Sequence, residues 1–349
     1  MNKIFPRLFK KYNQNQLPPK ERDLIDHWYH DTTHAPASAP NEIKTQREVW
    51  SKLLLEIQPQ PKVRKLLLWH WAAAAVIFVG IATTLYLVSV DNPKPLDLAS
   101  VAPAHPQAIL VNADNRDAEI LLTDKSQLQG IVNNKELDTI ELLAPKGASF
   151  DITLPDGTIV YLNSDSRIRY PKKFNGTQRQ VTLEGEAYFE VAHQKEKPFI
   201  VRTDKANITV LGTKFNVRAY ASNEDNSISL LEGSVKLHNQ FTTTLLKPGE
   251  MANIQKDAQV IPITNIGDED PVAWKNGYFN FNNKPISELC EELARWYNVQ
   301  FDLTLLKKDI KLHGTISRHQ SLLKVLEQLS STEEIKFETS GQQIIIKNN

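Results

Sequence analysis

The chain has 349 residues, 41% hydrophobic and 23% charged, which is ordinary globular usage and length enough for two or three domains. Basic and acidic residues both number 41, so no bulk positive field exists to hold nucleic acid, and direct nucleic-acid binding is not expected. The single cysteine, Cys290, excludes an internal disulfide and a cysteine-rich zinc centre.

The first 60 residues carry three short apolar stripes at helical spacing. They are Ile4, Phe5, Leu8, Phe9 and Tyr12; then Leu24, Ile25, Trp28 and Tyr29 after Pro18-Pro19; then Trp50, Leu53, Leu54 and Ile57. Thr32–Pro40 reads as a loop between the second and third. Helices this short bury little surface alone. Either they form a small bundle or their stripes dock on a partner.

Residues 66–90 (LLLWHWAAAAVIFVGIATTLYLVSV) contain 20 apolar residues and no Asp, Glu, Lys or Arg. About 20 helical residues cross a bilayer's hydrocarbon, so this run predicts a single transmembrane helix. It comes after some 65 polar residues and is too long for a cleaved signal peptide. Arg47, Lys52, Lys62, Arg64 and Lys65 precede it, whereas only Lys94 lies within 91–110. Positive charge stays inside, so the N-terminus is expected in the cytoplasm and 91–349 beyond the membrane.

Residues 91–141 open with Pro93, Pro95, Pro103 and Pro106, a semi-stiff linker, and continue with weak strands such as AILV and EILL. From 142 to 266 the pattern is all-β. Alternating runs such as Thr158–Leu162, Val181–Val191 and Ile208–Leu211 lie between turns at Pro155-Asp156-Gly157, Asn175-Gly176, Glu232-Gly233 and Pro248-Gly249. A sandwich and a solenoid-like stack fit equally. Residues 271–349 read β-α-β-β-α-β with a final strand, an α+β split βαβ domain. The expected architecture is thus multidomain: α-helical segment 1–60, transmembrane helix 66–90, linker 91–141, all-β domain 142–266 and α+β domain 271–349.

Chemistry is sparse. Glu184, Glu186 and Glu190 would suit sugar hydrolysis as paired acids, but they alternate with Leu183, Gly185, Ala187, Phe189 and Val191, which predicts a solvated outer face. His27 and His30 are the nearest histidine pair at helical spacing, and no HExxH, GxSxG, Walker or GxGxxG pattern occurs. No metal and no cofactor is expected. Gly212-Thr213 is the one dipeptide with latent reactivity. A permissive glycine before a threonine hydroxyl is the arrangement for an N→O acyl shift, and a β-bulge is the simpler account.

A run of phrases then carries a resemblance. Leu154-Pro155-Asp156-Gly157-Thr158, Leu162-Asn163-Ser164, Tyr170-Pro171, Leu183-Glu184-Gly185-Glu186-Ala187-Tyr188-Phe189-Glu190-Val191, Lys197-Pro198-Phe199-Ile200-Val201, Val210-Leu211-Gly212-Thr213-Lys214-Phe215-Asn216-Val217, Leu231-Glu232-Gly233-Ser234-Val235 and Leu246-Lys247-Pro248-Gly249-Glu250 occur in one order. The stretch resembles the periplasmic domain of FecR-type transmembrane anti-sigma factors. Trp274-Lys275-Asn276-Gly277 and the split βαβ region after it resemble that family's C-terminal domain, similar to the secretin/TonB short N-terminal fold. The resemblance implies a single-pass inner-membrane regulator. Its cytoplasmic helices would hold an extracytoplasmic-function sigma factor, with Trp28, Trp50, Leu53 and Leu54 as the expected contact. Its periplasmic part would sense the signalling domain of a TonB-dependent outer-membrane transducer. Staged proteolysis, ending with an intramembrane protease, would release sigma. Some relatives break their own chain at a Gly-Thr pair, which corresponds here to Gly212 and Thr213. The competing expectation is a membrane-anchored protein that binds or hydrolyses envelope polysaccharide; a third is an adhesive scaffold.

Overall fold

The computed structural model describes residues 10–33, 78–84, 95–111, 119–134 and 138–349. Residues 1–88 and 89–349 form two separate compact units.

In the first unit, helix α1 (Pro19–Thr33) starts where Pro18-Pro19 places it, with Glu21 in its first turn and His30 in its last. The Glu21 charge suits the helix dipole, and Pro19 suits the first turn. Ile25 is its buried contact. Residues 10–13 form a helical turn whose Tyr12 hydroxyl donates to Asp26, while the Arg22 guanidinium lies 5.8 Å from the Tyr12 ring centre. Within the apolar run, residues 78–84 are helical, and Thr84 Oγ1 donates to the Gly80 carbonyl. No helix among the described residues is long and apolar enough to cross a membrane. The rest of the expected span, 66–77 and 85–90, lies outside the described residues, as do Trp50, Leu53 and Leu54.

The second unit holds a sandwich and an α+β domain. One sheet runs Glu119–Leu122, Ala108–Val111, Thr139–Ala144, Ser166–Pro171, the first half of Arg179–Glu190, Phe199–Arg202, Asn207–Val210, Val235–His238 and Thr243–Leu246. The other runs His105–Pro106, Ala148–Thr153, Ile159–Leu162, the second half of Arg179–Glu190, Lys214–Ala219, Asp225–Glu232, Glu250–Gln255 and Ile263–Asn265. Pairing is antiparallel except Arg179–Thr182 with Phe199–Arg202 and His105–Pro106 with Ala148–Ser149. One apolar cluster takes inward residues from both sheets, among them Leu142, Ile168, Val201, Phe189, Phe215 and Ile228. Of the two architectures left open, this is the sandwich. Phe189 stacks on Phe215 with centroids 5.1 Å apart. Burying each such ring is worth about 1.5–3 kcal/mol.

Arg179–Glu190 belongs to both sheets and changes sheet near Gly185. There φ is +99°, a conformation that favours glycine, and an added Cβ would sit 2.6 Å from the Ser166 Cα. The Ser166 hydroxyl accepts the Glu186 N–H at 2.8 Å, tying the crossing in place.

Two expectations for 91–141 need correcting. AILV and EILL are strands, but α2 (Lys125–Asn134) comes after them, where only weak strands were expected. It carries Gly130 and no charge suited to either terminal turn, so sequence signals for it are faint. The β domain also begins before 142, because Ala108–Val111 and Thr139–Ala144 pair within the sandwich.

The last domain keeps the predicted order. Strand Tyr278–Pro285 leads into helix α3 (Ile286–Tyr297), then Gln300–Asp302, Lys311–Ser317, helix α4 (Leu322–Ser330), Ile335–Ser340 and Gln343–Asn348. The strands divide into a pair, Tyr278–Pro285 with Lys311–Ser317, and a triplet centred on Gln343–Asn348. Ile286, Leu289, Leu293 and Tyr297 of α3 and Leu322, Leu326 and Leu329 of α4 face one shared core. Burial pushes the Cys290 thiol up, leaving it an apolar filler. Asn298 ends α3 in the left-handed region, φ 52°, its N–H bonded to Ala294 O.

Candidate functional site

The outer face of the crossing strand is solvated at Glu184, as expected, but not at Glu186 or Glu190. Glu184 is exposed, but Glu186 and Tyr188 are buried and Glu190 is half-buried. The alternation holds; what sequence could not show is that the α+β domain covers this face.

The seam between the two domains is polar and built by register. Arg218 stands opposite Glu186, and Tyr188 lies between Tyr161 and Asn216 on the flanking strands. Asn163 and Asn216 donate to the Glu186 carboxylate at 2.7 and 3.0 Å. Trp274 Nε1 then donates to Asn216 Oδ1 at 3.1 Å, and Arg318 Nη1 to Asn163 Oδ1 at 3.1 Å. Lys275 pairs with Glu190 at 3.5 Å and lies 4.6 and 4.8 Å from the Tyr161 and Tyr188 ring centres. Arg295 lies 4.1 Å from the Tyr220 ring centre, and its carbonyl accepts the Gly147 N–H at 2.8 Å.

Arg318 is the central cation of the seam, 3% exposed, 4.5 Å from the Phe279 and 4.7 Å from the Trp296 ring centres. Burial pulls its pKa below the ordinary value, while Glu292 and Glu186 favour the charged form. Glu292 on α3 meets Lys284 at 2.8 Å and Arg218 at 3.4 Å. Burial works to raise its carboxyl, but Lys284 and Arg218 outweigh it and hold the group at about 2. The seam's stability is therefore pH-dependent. A carboxyl lower in the fold than its ordinary 4.5 contributes above that value and loses its contribution as pH falls through 4.5 toward 2. Glu292→Gln is expected to cost about 2–3 kcal/mol at pH 7 and far less near pH 2.5. Urea unfolding of both proteins at the two pH values checks this; an equal gap at both would refute it.

Beside the seam a polar cleft of about 620 Å³ opens between the domains, lined by Asn216, Arg218, Asp225, Asn253, Trp274 and Lys284 among others. Among the described residues no three His, Cys, Asp or Glu side chains are placed to hold a metal ion. The carboxylates of the crossing strand do not form a glycosidase pair: Glu186 is spent on two asparagines and Glu190 on Lys275.

Gly212-Thr213 sits in the turn before Lys214–Ala219. The Thr213 hydroxyl is buried and donates to the Ser234 carbonyl at 3.1 Å. An added Cβ at Gly212 would lie 2.8 Å from His193 Cα, and one at Gly233 would lie 2.9 Å from Thr213 Oγ1. The dipeptide is thus clasped between His193 and Gly233, on a backbone held by Val191 N–H to Thr213 O and Gln194 N–H to Leu211 O. Trp28 lies on α1, and Trp50, Leu53 and Leu54 lie outside the described residues.

Pattern in the sequence did not single out the seam residues. Asn163, Glu186, Tyr188, Glu190 and Asn216 lie inside the quoted phrases, as do Trp274 and Lys275, but nothing in those phrases marks them as one network.

The family model described as "FecR protein" matches residues 140–236, and "FecR, C-terminal" matches 278–346. Two crystal structures of a candidate anti-sigma factor from Parabacteroides distasonis ATCC 8503, at 2.50 and 1.65 Å, are 32% and 33% identical, each with a TM-score of 0.56. Each match covers 60% of this chain and 99% of the other. No curated protein matches.

Proposed function

Because the chain belongs to the FecR family of anti-sigma factors, we propose that it sequesters an extracytoplasmic-function sigma factor through its helical segment 1–60. Trp28, Trp50, Leu53 and Leu54 form the apolar contact; large aromatic residues anchor interfaces of this kind. The chain crosses the inner membrane once, over 66–90, with its N-terminus in the cytoplasm. Its sandwich and α+β domain receive the signalling domain of a ligand-loaded TonB-dependent transducer. Regulated proteolysis, completed by an intramembrane protease, then frees sigma.

The observation that carries this reading is the order of parts on one chain. A helix-patterned segment precedes a 25-residue run free of Asp, Glu, Lys and Arg, positive charge flanks that run on one side, and both family domains come after it. Signalling by such a protein needs differential binding rather than an active site. A polysaccharide hydrolase lacks support, since Glu186 and Glu190 are engaged in the seam and Glu184 alone makes no acid pair. Deleting residues 1–60 is expected to raise transcription from a sigma-dependent reporter in the absence of any inducer; unchanged output contradicts the proposal.

Gly212-Thr213 fits a single-turnover cut. Thr213 Oγ attacks the Gly212 carbonyl carbon, the C–N bond breaks, the nitrogen takes the hydroxyl proton, and water hydrolyses the ester. The Gly212 clasp and the fixed hydroxyl support this chemistry. Thr213→Ala is expected to abolish the nick while leaving the fold intact. Mass spectrometry of purified protein decides it, and a nick that persists in the variant assigns the cut to an outside protease.

A further inference from the structure

Residues 95–104 lie against the C-terminal domain rather than forming a free linker. Leu96, Leu98, Val101 and Ala104 pack on that domain's core. Two backbone bonds hold the stretch: Leu96 N–H to Gly341 O at 2.8 Å, and Leu322 N–H to Val101 O at 3.4 Å. Between them the chain turns on Asp97, which accepts the Ala99 N–H at its carboxylate and the Ser100 N–H at its carbonyl, 3.1 and 3.0 Å. Asp97, Ala99 and Ser100 are exposed; the apolar anchors are only half-buried. His105–Pro106 then pairs with Ala148–Ser149, stitching the far end to the sandwich.

This strap joins the chain's apolar run to its folded second unit, and the last domain in sequence holds it. An endoprotease takes its substrate as an extended segment several residues long. A turn pinned at both sides cannot adopt that shape without leaving its groove. Cleavage then tracks the population of the opened strap. Half-buried anchors make that opening easier than unfolding the domain.

We infer that residues 95–101 are a latched processing site, closed by the C-terminal domain and cut by an envelope endoprotease once the strap lifts. Water adds across a peptide bond of the strap, leaving a carboxylate on the N-terminal piece and an amine on the C-terminal piece. The inference rests on the proposed release by proteolysis. A partner that engages the turn at Gly341 or the start of α4 at Leu322 would open the latch, because both groups bond the strap.

The test uses the full-length chain in detergent solution with a broad-specificity endoprotease at low ratio, with cut sites mapped by mass spectrometry. The variant Leu98→Asp/Val101→Asp is expected to be cut within 95–104 at least about tenfold faster than the parent, with cuts elsewhere unchanged. Leu98→Ala, milder toward folding, is expected to fall between. Equal rates in parent and variants overturn the latch, as does acceleration spread over the whole chain. A sigma-dependent reporter separates the two claims: accelerated cutting with flat reporter output keeps the latch and overturns the proposed release.

Discussion

Replacing Arg318 with alanine is expected to destabilise the unit of residues 95–349 by about 3–5 kcal/mol, a fall in melting temperature of roughly 10 °C. The side chain is buried, donates to Asn163 and lies over Phe279 and Trp296. Glu186 and Glu292 both act on its charge. Removing the cation leaves those carboxylates less compensated in a low-dielectric seam and opens a void between two rings. Arg318→Lys keeps the charge but loses the planar guanidinium, so it recovers only part of the loss. Calorimetry on the three proteins checks the order. A change within about 0.5 kcal/mol for the alanine variant would mean the seam does not hold the domains together.

Gly185→Ala is expected to cost about 3–5 kcal/mol from two sources. A positive φ strains any residue with a Cβ, by about 1–3 kcal/mol. The methyl group would also meet Ser166 Cα at 2.6 Å and Cβ at 2.7 Å, and overpacking of this kind costs about 1–3 kcal/mol. Because the strand changes sheet there, the strain falls on both halves of the sandwich at once. Chemical denaturation measures the effect. Gly157→Ala is the control: φ is +86° there, but nothing lies within 4 Å of the added methyl. It should cost only the backbone share, and equal losses at both positions would show that the Ser166 contact is unimportant.

Much of the fold was legible in local pattern. Period-two alternation located the sandwich strands, and the stripe Ile286, Leu289, Leu293 and Tyr297 located α3. Both signals arise within a few residues of one another. The features missed are those set by distant partners. Glu186 and Tyr188 read as solvent-facing because alternation reports which side a residue takes, not what covers that side. Proline spacing in 91–106 pointed to an extended linker and could not show the turn at Asp97 or the packing of Leu96, Leu98 and Val101 on the C-terminal domain. Choosing sandwich over solenoid needed the pairing of strands far apart in sequence. For the candidate site, the FecR-like phrases pointed to the right region. Asn163, Asn216, Arg318 and Glu292 gave no separate signal, because single polar residues become a network only when the two domains meet.

Sequestration of a sigma factor by residues 1–60 is the step on which the proposed regulation depends. Its most direct measurement is native co-purification of the extracytoplasmic-function sigma factor of the same cell with the full-length chain and with the chain lacking 1–60. A stoichiometric complex is expected with the full-length chain and none with the truncated one. Capture by both, or by neither, would contradict it.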